Sequence, residues 1–176
     1  MPVSFDMNSP QGQVDMFVTV KTDRGGVIHG ESTDSEHPGK IEVQGWAWGM
    51  SSQTDASTGS ASGRRMHRPL KLFKNIDGAT CPLAIALAQN QVVRELILIA
   101  RKAGGGDRGM TYLTIKLTQG RVIRQDLEYL DQSGGSSGRE VVEIAYQGIE
   151  ITYTPQSTVG LSSGAKTFTD SLASSN

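Results

Sequence analysis

Two histidines and three carboxylates lie close together in the first quarter of the chain. They are His29, Glu31, Asp34, Glu36 and His37, all within nine residues. Imidazole nitrogens and carboxylate oxygens are ligands of zinc, and a histidine beside an aspartate is the pair with which a hydrolase activates a nucleophile. The spacing matches no established metal motif. We therefore predict no metal and no catalytic residue here, and a solvated polar loop is the simplest interpretation.

The other reactive patterns in the sequence are incomplete. No serine stands in a G-x-S-x-G turn, and the glycines at 104–106 are followed by Asp-Arg rather than by the Lys-Ser or Lys-Thr of a phosphate-binding loop. Cys81 is the single cysteine, so one chain forms neither a disulfide nor a multi-thiolate metal site. The sequence predicts no enzyme and no cofactor.

The charge balance and composition indicate an ordinary folded domain. The chain has 176 residues, 36% of them apolar, and 17 basic against 18 acidic residues give a net charge of −1. A nearly neutral chain is not a typical binder of nucleic acid or anionic membranes. No apolar run reaches the ~18 residues of a membrane span, and the first residues do not resemble a secretory signal. The default expectation is one cytoplasmic domain.

One basic cluster remains as a candidate for binding. Arg64, Arg65, His67 and Arg68 follow a polar stretch that contains no large apolar residue from 51 to 63. Irregular segments of this length are usually functional or disordered. We expect the cluster to pair with acidic groups on a partner, since such pairs set the register of an association.

Hydrophobic periodicity predicts several strands and one helix. Alternating apolar residues predict strands in the segments 14–20, 41–48, 112–117 and 142–153, and the apolar run at 96–99 predicts a strand buried on both faces. Apolar residues at helical spacing predict a helix at about 81–91, with Thr80 as its N-terminal cap and Asn90 as its C-terminal cap. The predicted fold is mainly β: a small antiparallel β-barrel, or two-sheet barrel, with one lateral α-helix.

The tryptophans and two irregular points refine this prediction. Trp46 and Trp48 share the nominally polar face of their strand, which indicates that both faces are packed, as at a neighbouring subunit. Gly120 predicts a bend or a bulge in a long strand pair. The apolar face changes from even to odd positions across residues 147–148, which predicts a β-bulge. We divide the chain into a flexible lead-in at 1–13, a barrel domain at 14–156 with a long loop at 51–69, and a flexible tail at 157–176.

The order of several short motifs resembles one known family. G-E-S-x-D at 30–34 precedes His37, I-E-V at 41–43 precedes W-A-W-G at 46–49, and F-K-N-I-D at 73–77 precedes the helix. R-K-A-G-G at 101–105 and Y-T-P-Q at 153–156 follow in order. Together they resemble the Hcp family, the tube proteins of bacterial type VI secretion systems, over about residues 14–156.

The resemblance implies a structural function. Members of the family form homohexameric rings, and these rings stack head to tail into a hollow tube. The implied partners are the spike and sheath proteins of the secretion machine and small effector proteins held in the lumen, with no nucleic acid and no membrane span. The implied route leads from the cytoplasm to the outside or into a target cell, without a cleaved signal.

The resemblance also assigns candidate positions. The loop after the W-x-W-G strand has an inter-subunit role in the family, and here we name Ser51, Gln53, Thr54, Asp55, Arg64, Arg65, His67 and Arg68. Ala47, where the family commonly has serine, is the candidate lumen residue. The motif residues expected to be structural are Gly30, Glu31, Ser32, Asp34, Trp46, Trp48 and Gly49.

Three other interpretations use the same residues. A monomeric small-molecule-binding barrel would place Trp46 and Trp48 in its cavity. A phage tail-tube-like structural protein would share the architecture. A hydrolase would use His29 or His37 with Asp34.

Overall fold

The computed structural model describes residues 14–54, 57, 59, 61–102, 109–129, 138–155 and 164–172. Its elements in chain order are β1 (Val14–Thr22), β2 (Gly26–Ile28), β3 (Ile41–Val43), β4 (Gly45–Ala47), β5 (Met50–Thr54), β6 (Ala61–His67), β7 (Leu70–Asn75), α1 (Thr80–Ala88), β8 (Val93–Lys102), β9 (Met110–Glu128), β10 (Arg139–Ala145), β11 (Gly148–Tyr153) and β12 (Lys166–Ser171). The predicted mainly β fold with one helix is confirmed. The expected lead-in at 1–13 lies outside the described residues.

Strand β9 is shared by two sheets. Its first half pairs with β8 on one side and β11 on the other, and its second half pairs with β10. The bend between the halves lies at Gln119, whose φ of 51° is left-handed, and at Gly120. A Cβ atom at Gly120 would lie 2.7 Å from the carbonyl oxygen of Ala145, which is closer than a side chain allows. The bend predicted at Gly120 is confirmed.

The change of face predicted across residues 147–148 is present, but a one-residue bulge does not produce it. The strands pair through Ala145 with Arg121 and then through Gly148 with Thr118. Two residues separate these pairs on each strand. The side chains of both strands therefore switch to the opposite face of the sheet at this point. Neither strand has an extra residue relative to the other, so there is no bulge here.

Segment 41–48 joins the two sheets. The sequence predicted one strand, but the structure divides the segment into β3, which pairs with β1, and β4, which pairs with β7. Between them the N–H of Gln44 donates to the carbonyl oxygen of Phe73 at 2.7 Å. Hydrogen bonds connect the strands in the order β1–β8–β9–β10–β7–β4. The chain then connects β4 to β3, and β3 pairs with β1. The chain itself, rather than a continuous ladder, completes the barrel.

Helix α1 packs against β9 and buries Leu83. Thr80 does not cap it as predicted, because its hydroxyl donates to the carboxylate of Glu140 at 2.6 Å. The N-cap position is Ala79, which offers no side-chain cap, and the carboxylate of Asp77 accepts the N–H of Ala79 at 2.9 Å just before the helix. The helix ends earlier than predicted, since Asn90 adopts a left-handed φ of 50° just after it.

The core lies between the two sheets and under the helix. Each fully buried aliphatic side chain contributes about 1.5–3 kcal/mol relative to exposure. The central members are Val18, Val20, Ile41, Leu70, Leu72, Leu83, Leu96, Leu98, Ile115, Leu117, Val142 and Ile144.

Two segments expected to be irregular contain strands. The predicted loop 51–69 holds most of β5 and all of β6, which pair as a hairpin from Met50 and His67 outward. The predicted tail 157–176 contains β12, which pairs with β11 along its whole length. Both segments are rich in small polar residues, so no apolar alternation marked them. Main-chain hydrogen bonds form such ladders without requiring any particular side chain.

Candidate assembly surface

The β5–β6 hairpin is a two-stranded sheet of its own. Among the described residues, its strands pair with each other and with no strand of the barrel. The base of the hairpin is closed by the N–H of Arg68, which donates to the carbonyl oxygen of Gly49 at 2.8 Å. Met50 and Met66 are exposed on it. A hairpin of this kind is a surface available to another chain.

One carboxylate on β12 holds the base of the hairpin. Asp170 accepts two hydrogen bonds from Arg65, from Nε and Nη2, both at 2.9 Å. It also lies 2.9 Å from Nε2 of His67. The side chain of His67 is 1% exposed and that of Asp170 is 13% exposed. The arrangement is a bidentate arginine–carboxylate pair with a third bond from a buried imidazole.

A second layer connects this cluster to the barrel. Nδ1 of His67 lies 3.0 Å from the hydroxyl oxygen of Tyr146, and Nε1 of Trp48 donates to the same oxygen. The Trp48 ring is 6.2 Å from that of Phe168. His67 thus bridges Tyr146 and Asp170 with its two ring nitrogens. Trp48 is thus a packing anchor.

The ionisation of the cluster is fixed by the same contacts. Burial alone raises the pKa of Asp170, but the hydrogen bonds from His67 and Arg65 outweigh it, and the pKa lies below the usual 3.8. Burial raises the pKa of Tyr146 above 10.0, the hydrogen bond from Trp48 opposes this shift, and the charge of Asp170 adds to it. At neutral pH the cluster therefore contains an ionised carboxylate and a protonated phenol.

The predicted inter-subunit residues divide into two groups. Arg65 and His67 are bonded to Asp170 of the same subunit, although the Arg65 side chain is still mostly exposed, and Ser51 and Arg68 are exposed as well. Asp55 lies outside the described residues. The other three, Gln53, Thr54 and Arg64, lie on the hairpin strands.

The lumen candidate Ala47 lies on the edge strand β4. It is opposite Lys71, and its neighbour Gly45 is opposite Phe73. Lys71 and Phe73 are both well exposed, so Ala47 faces outward from this sheet. A groove of about 510 Å³ opens beside it between β4, β7, β9 and β10.

Arg101 forms ion pairs with two acidic residues of the 29–40 loop. Its guanidinium donates to the carboxylate of Asp34 and, at 2.9 Å, to that of Glu36. It also lies over the ring of Phe17, 4.9 Å from the ring centre, and the ring of His37 lies 4.6 Å from that of Phe17. Of the five residues considered as metal ligands or as a catalytic pair, Asp34, Glu36 and His37 are therefore parts of an ion-pair and stacking network, whereas His29 is exposed. Within the described ranges, no three His, Cys, Asp or Glu side chains form a group that could hold a metal.

The motif glycines and Ser32 have structural positions. A Cβ atom at Gly30 would lie 2.5 Å from the carbonyl oxygen of Lys40, because the two chain segments of the loop touch there. Ser32 is buried, and the carboxylate of Glu31 lies against Gly78. The side chain of Arg68 packs against Gly49 at the base of the hairpin.

Sequence reasoning missed the polar residues that hold the fold together. Lys74 on β7 is fully buried, and its Nζ lies 2.7 Å from the carboxylates of Glu140 and Asp77. Its signal was available: Lys74 and Glu140 continue the inward alternation of their strands at the position where an apolar residue is expected. Arg101 and Asp170 had no such signal, since their partners lie more than 60 residues away.

Comparison with known proteins places this arrangement in a family. The sequence matches the family model described as "Type VI secretion system effector, Hcp" over residues 17–153. A solved type six secretion system protein is 27% identical, with a TM-score of 0.78 over 91% of this chain and 96% of that chain. Hcp1 from Salmonella typhimurium is 26% identical, with a TM-score of 0.68 over 90% and 94% of the two chains.

Hcp1 from the E. coli EAEC 042 pathovar shares the fold, with 23% identity and a TM-score of 0.75 over 91% of this chain and 99% of that chain. No curated protein matches the chain significantly. Within the described residues, no helix has the length and apolar character needed to cross a membrane.

A bent antiparallel barrel with a lateral helix and a projecting hairpin defines a subunit of a self-assembling structure. The chain belongs to the Hcp family. It is a structural protein of the type VI secretion tube, and members of this family are secreted by that system.

Proposed function

We propose that this protein forms homohexameric rings that stack head to tail into a hollow tube. The observation that carries the proposal is the β5–β6 hairpin, a separate sheet that projects from the barrel and is held only at its base among the described contacts. Head-to-tail stacking needs two different, complementary faces. A projecting hairpin on one face supplies one half of such a contact.

Lateral contacts within a ring have a separate support. Several large apolar side chains are exposed on the barrel, and a ring neighbour would cover part of this surface. They include Phe73, Ile123, Leu127 and Tyr129.

The proposed tube also implies the contents of its lumen, the other partners and the route of export. Small effector proteins occupy the lumen, with Ala47 on its wall, and the spike and sheath proteins of the secretion machine are the other partners. The protein assembles in the cytoplasm and leaves without a cleaved signal. It has no catalytic function, which is supported by the engagement of His37, Asp34 and Glu36 in structural contacts.

The first test is the mass of the protein in solution, measured by light scattering after size exclusion at low and high salt. We expect a mass near six times 18.9 kDa, with larger species at low salt because polar contacts between stacked rings are screened by ions. A monomer at all salt concentrations would contradict the proposal and favour a monomeric ligand-binding barrel.

A further inference from the structure

We propose that strand β12 is a strap that sets the direction of the β5–β6 hairpin, and that Asp170 is its positioning residue. Ring stacking, but not ring formation, then depends on the Asp170 carboxylate. The inference rests on the proposed function, in which the hairpin contacts the next ring.

Strand β12 holds the hairpin through the carboxylate of Asp170, which binds two side chains of β6. Arg65 and His67 are two residues apart on β6, so both side chains project from the same side of the strand. Asp170 takes two bonds from the first and one from the second. These three bonds orient the carboxylate and tie β6 to β12.

The strap is itself anchored to the barrel on two sides. Strand β12 pairs with β11 through six residue pairs, from Gly148 with Ser171 to Tyr153 with Lys166. On the other side, the ring of Phe168 lies near Trp48, which together with His67 contacts the hydroxyl of Tyr146 in the barrel wall. Force applied to the hairpin is therefore carried by the body of the subunit.

A small change in the angle of β6 at its base would displace the far end of the hairpin by several ångströms. Strand β6 has seven residues, so its length is about 23 Å at about 3.3 Å per residue. The far end lies about five residues, or about 17 Å, from the contact with Asp170, so a tilt of about 20° there would move it by about 6 Å, which is more than the ~4.8 Å spacing between paired strands. A hairpin displaced by that distance would not meet a complementary site on a neighbouring ring.

The strap lies beyond the part of the chain that defines the family. The family model matches residues 17–153, whereas β12 spans Lys166–Ser171. Its function has to be tested on this chain.

The test compares the full-length protein with three variants: Asp170→Asn, Arg65→Gln and Thr167→Ala. The first removes the charge of the strap with little change in shape, and the second weakens the same contact from the hairpin side at a mostly exposed residue. The matched control lies on the same strand, where the Thr167 hydroxyl contacts Thr152 at 3.3 Å and is remote from the hairpin contact. Each protein is measured by hydrogen exchange of the β5–β6 ladder amides, by ring mass, and by the fraction of protein in sedimenting tubes.

We expect Asp170→Asn to raise the exchange rate of the hairpin amides about tenfold or more, since a hydrogen bond to a charged group has about that effect on an opening equilibrium. Ring mass should be unchanged and the tube fraction should fall strongly. Arg65→Gln should do the same to a lesser degree, and Thr167→Ala should behave as the unaltered protein.

Unchanged hairpin exchange in Asp170→Asn would overturn the inference, and so would normal tubes despite faster exchange. If Asp170→Asn fails to fold, Arg65→Gln decides between these outcomes. The proposed function fails separately, when the unaltered protein forms no rings. Hairpin exchange can be measured on any folded subunit, so it would still show whether the strap holds the hairpin.

Discussion

Buried charge is the feature that most separates this barrel from a purely apolar one. The ammonium group of Lys74 contacts the carboxylates of Glu140 and Asp77 and the hydroxyl of Thr80. The second oxygen of Glu140 accepts from Gln125 at 2.7 Å. Removing charges from water is costly unless each group is paired and hydrogen bonded, and this network meets that condition. It joins β7, β10, β9 and the start of α1 at one point.

The chain offers a matched pair of lysines with which to measure this network. Lys74→Met leaves Glu140 buried without its cation, and we expect it to lower the free energy of unfolding by about 3–5 kcal/mol. Lys71→Met removes an ion pair with Glu143 on the exposed side of the same two strands, and we expect a loss of at most about 1 kcal/mol. Urea denaturation at one fixed protein concentration measures both. Equal losses would show that burial of the pair is not what stabilises this junction.

At the scale of elements, the sequence predicted what apolar alternation marks. Strands β1, β8, β9 and β10 and the helix were recognisable because their inward side chains repeat with the period of the element. The hairpin and β12 were not recognisable, because backbone pairing holds them and their side chains show no apolar alternation. Segment 41–48 was recognisable as a strand, but the exchange of partners at Gln44 depends on β1 and β7 and leaves no local signal.

The loop at 29–40 makes stability depend on pH in two separate ranges. Burial, with the charges of Lys40 and Arg101, lowers the pKa of His37 below 6.5. The hydrogen bond from Arg101 lowers the pKa of Asp34 below 3.8. Below each of these values the unfolded chain binds more protons than the folded one, so the contribution of each group to stability is present above that pH and is lost as the pH falls. We expect the melting temperature to fall first below about pH 6.5 and again below about pH 3.8.

Thermal melts between pH 3 and 8 at constant salt and protein concentration test this. His37→Phe keeps a ring beside Phe17 and should remove the first decline, while the second, to which Asp34 and Asp170 both contribute, remains. A first decline of unchanged size in this variant would assign it to another group.

At the scale of the whole molecule, the family and the site were predictable to different degrees. The motif order indicated the Hcp family, and the match of the family model over residues 17–153 confirms it. The direction of the hairpin residues was not predictable, since it depends on Asp170 from a distant strand. That contact divides the basic cluster: Arg65 is bound within its own subunit, and Arg68 remains exposed.

Because Arg65 binds Asp170 within its own subunit, charge reversal can be directed at the other arginines of the basic cluster. Arg64→Glu with Arg68→Glu changes the basic cluster and leaves the pair of Arg65 with Asp170 in place, so the hairpin keeps its direction. We expect rings of unchanged mass and loss of tubes at moderate salt, because like charges at an interface oppose association. The control is Arg124→Glu on β9, an exposed arginine that forms an ion pair with the nearby Asp126, and it should leave tubes intact. Tubes that persist in the double variant would show that apolar or main-chain contacts, rather than the cluster's charge, hold one ring to the next.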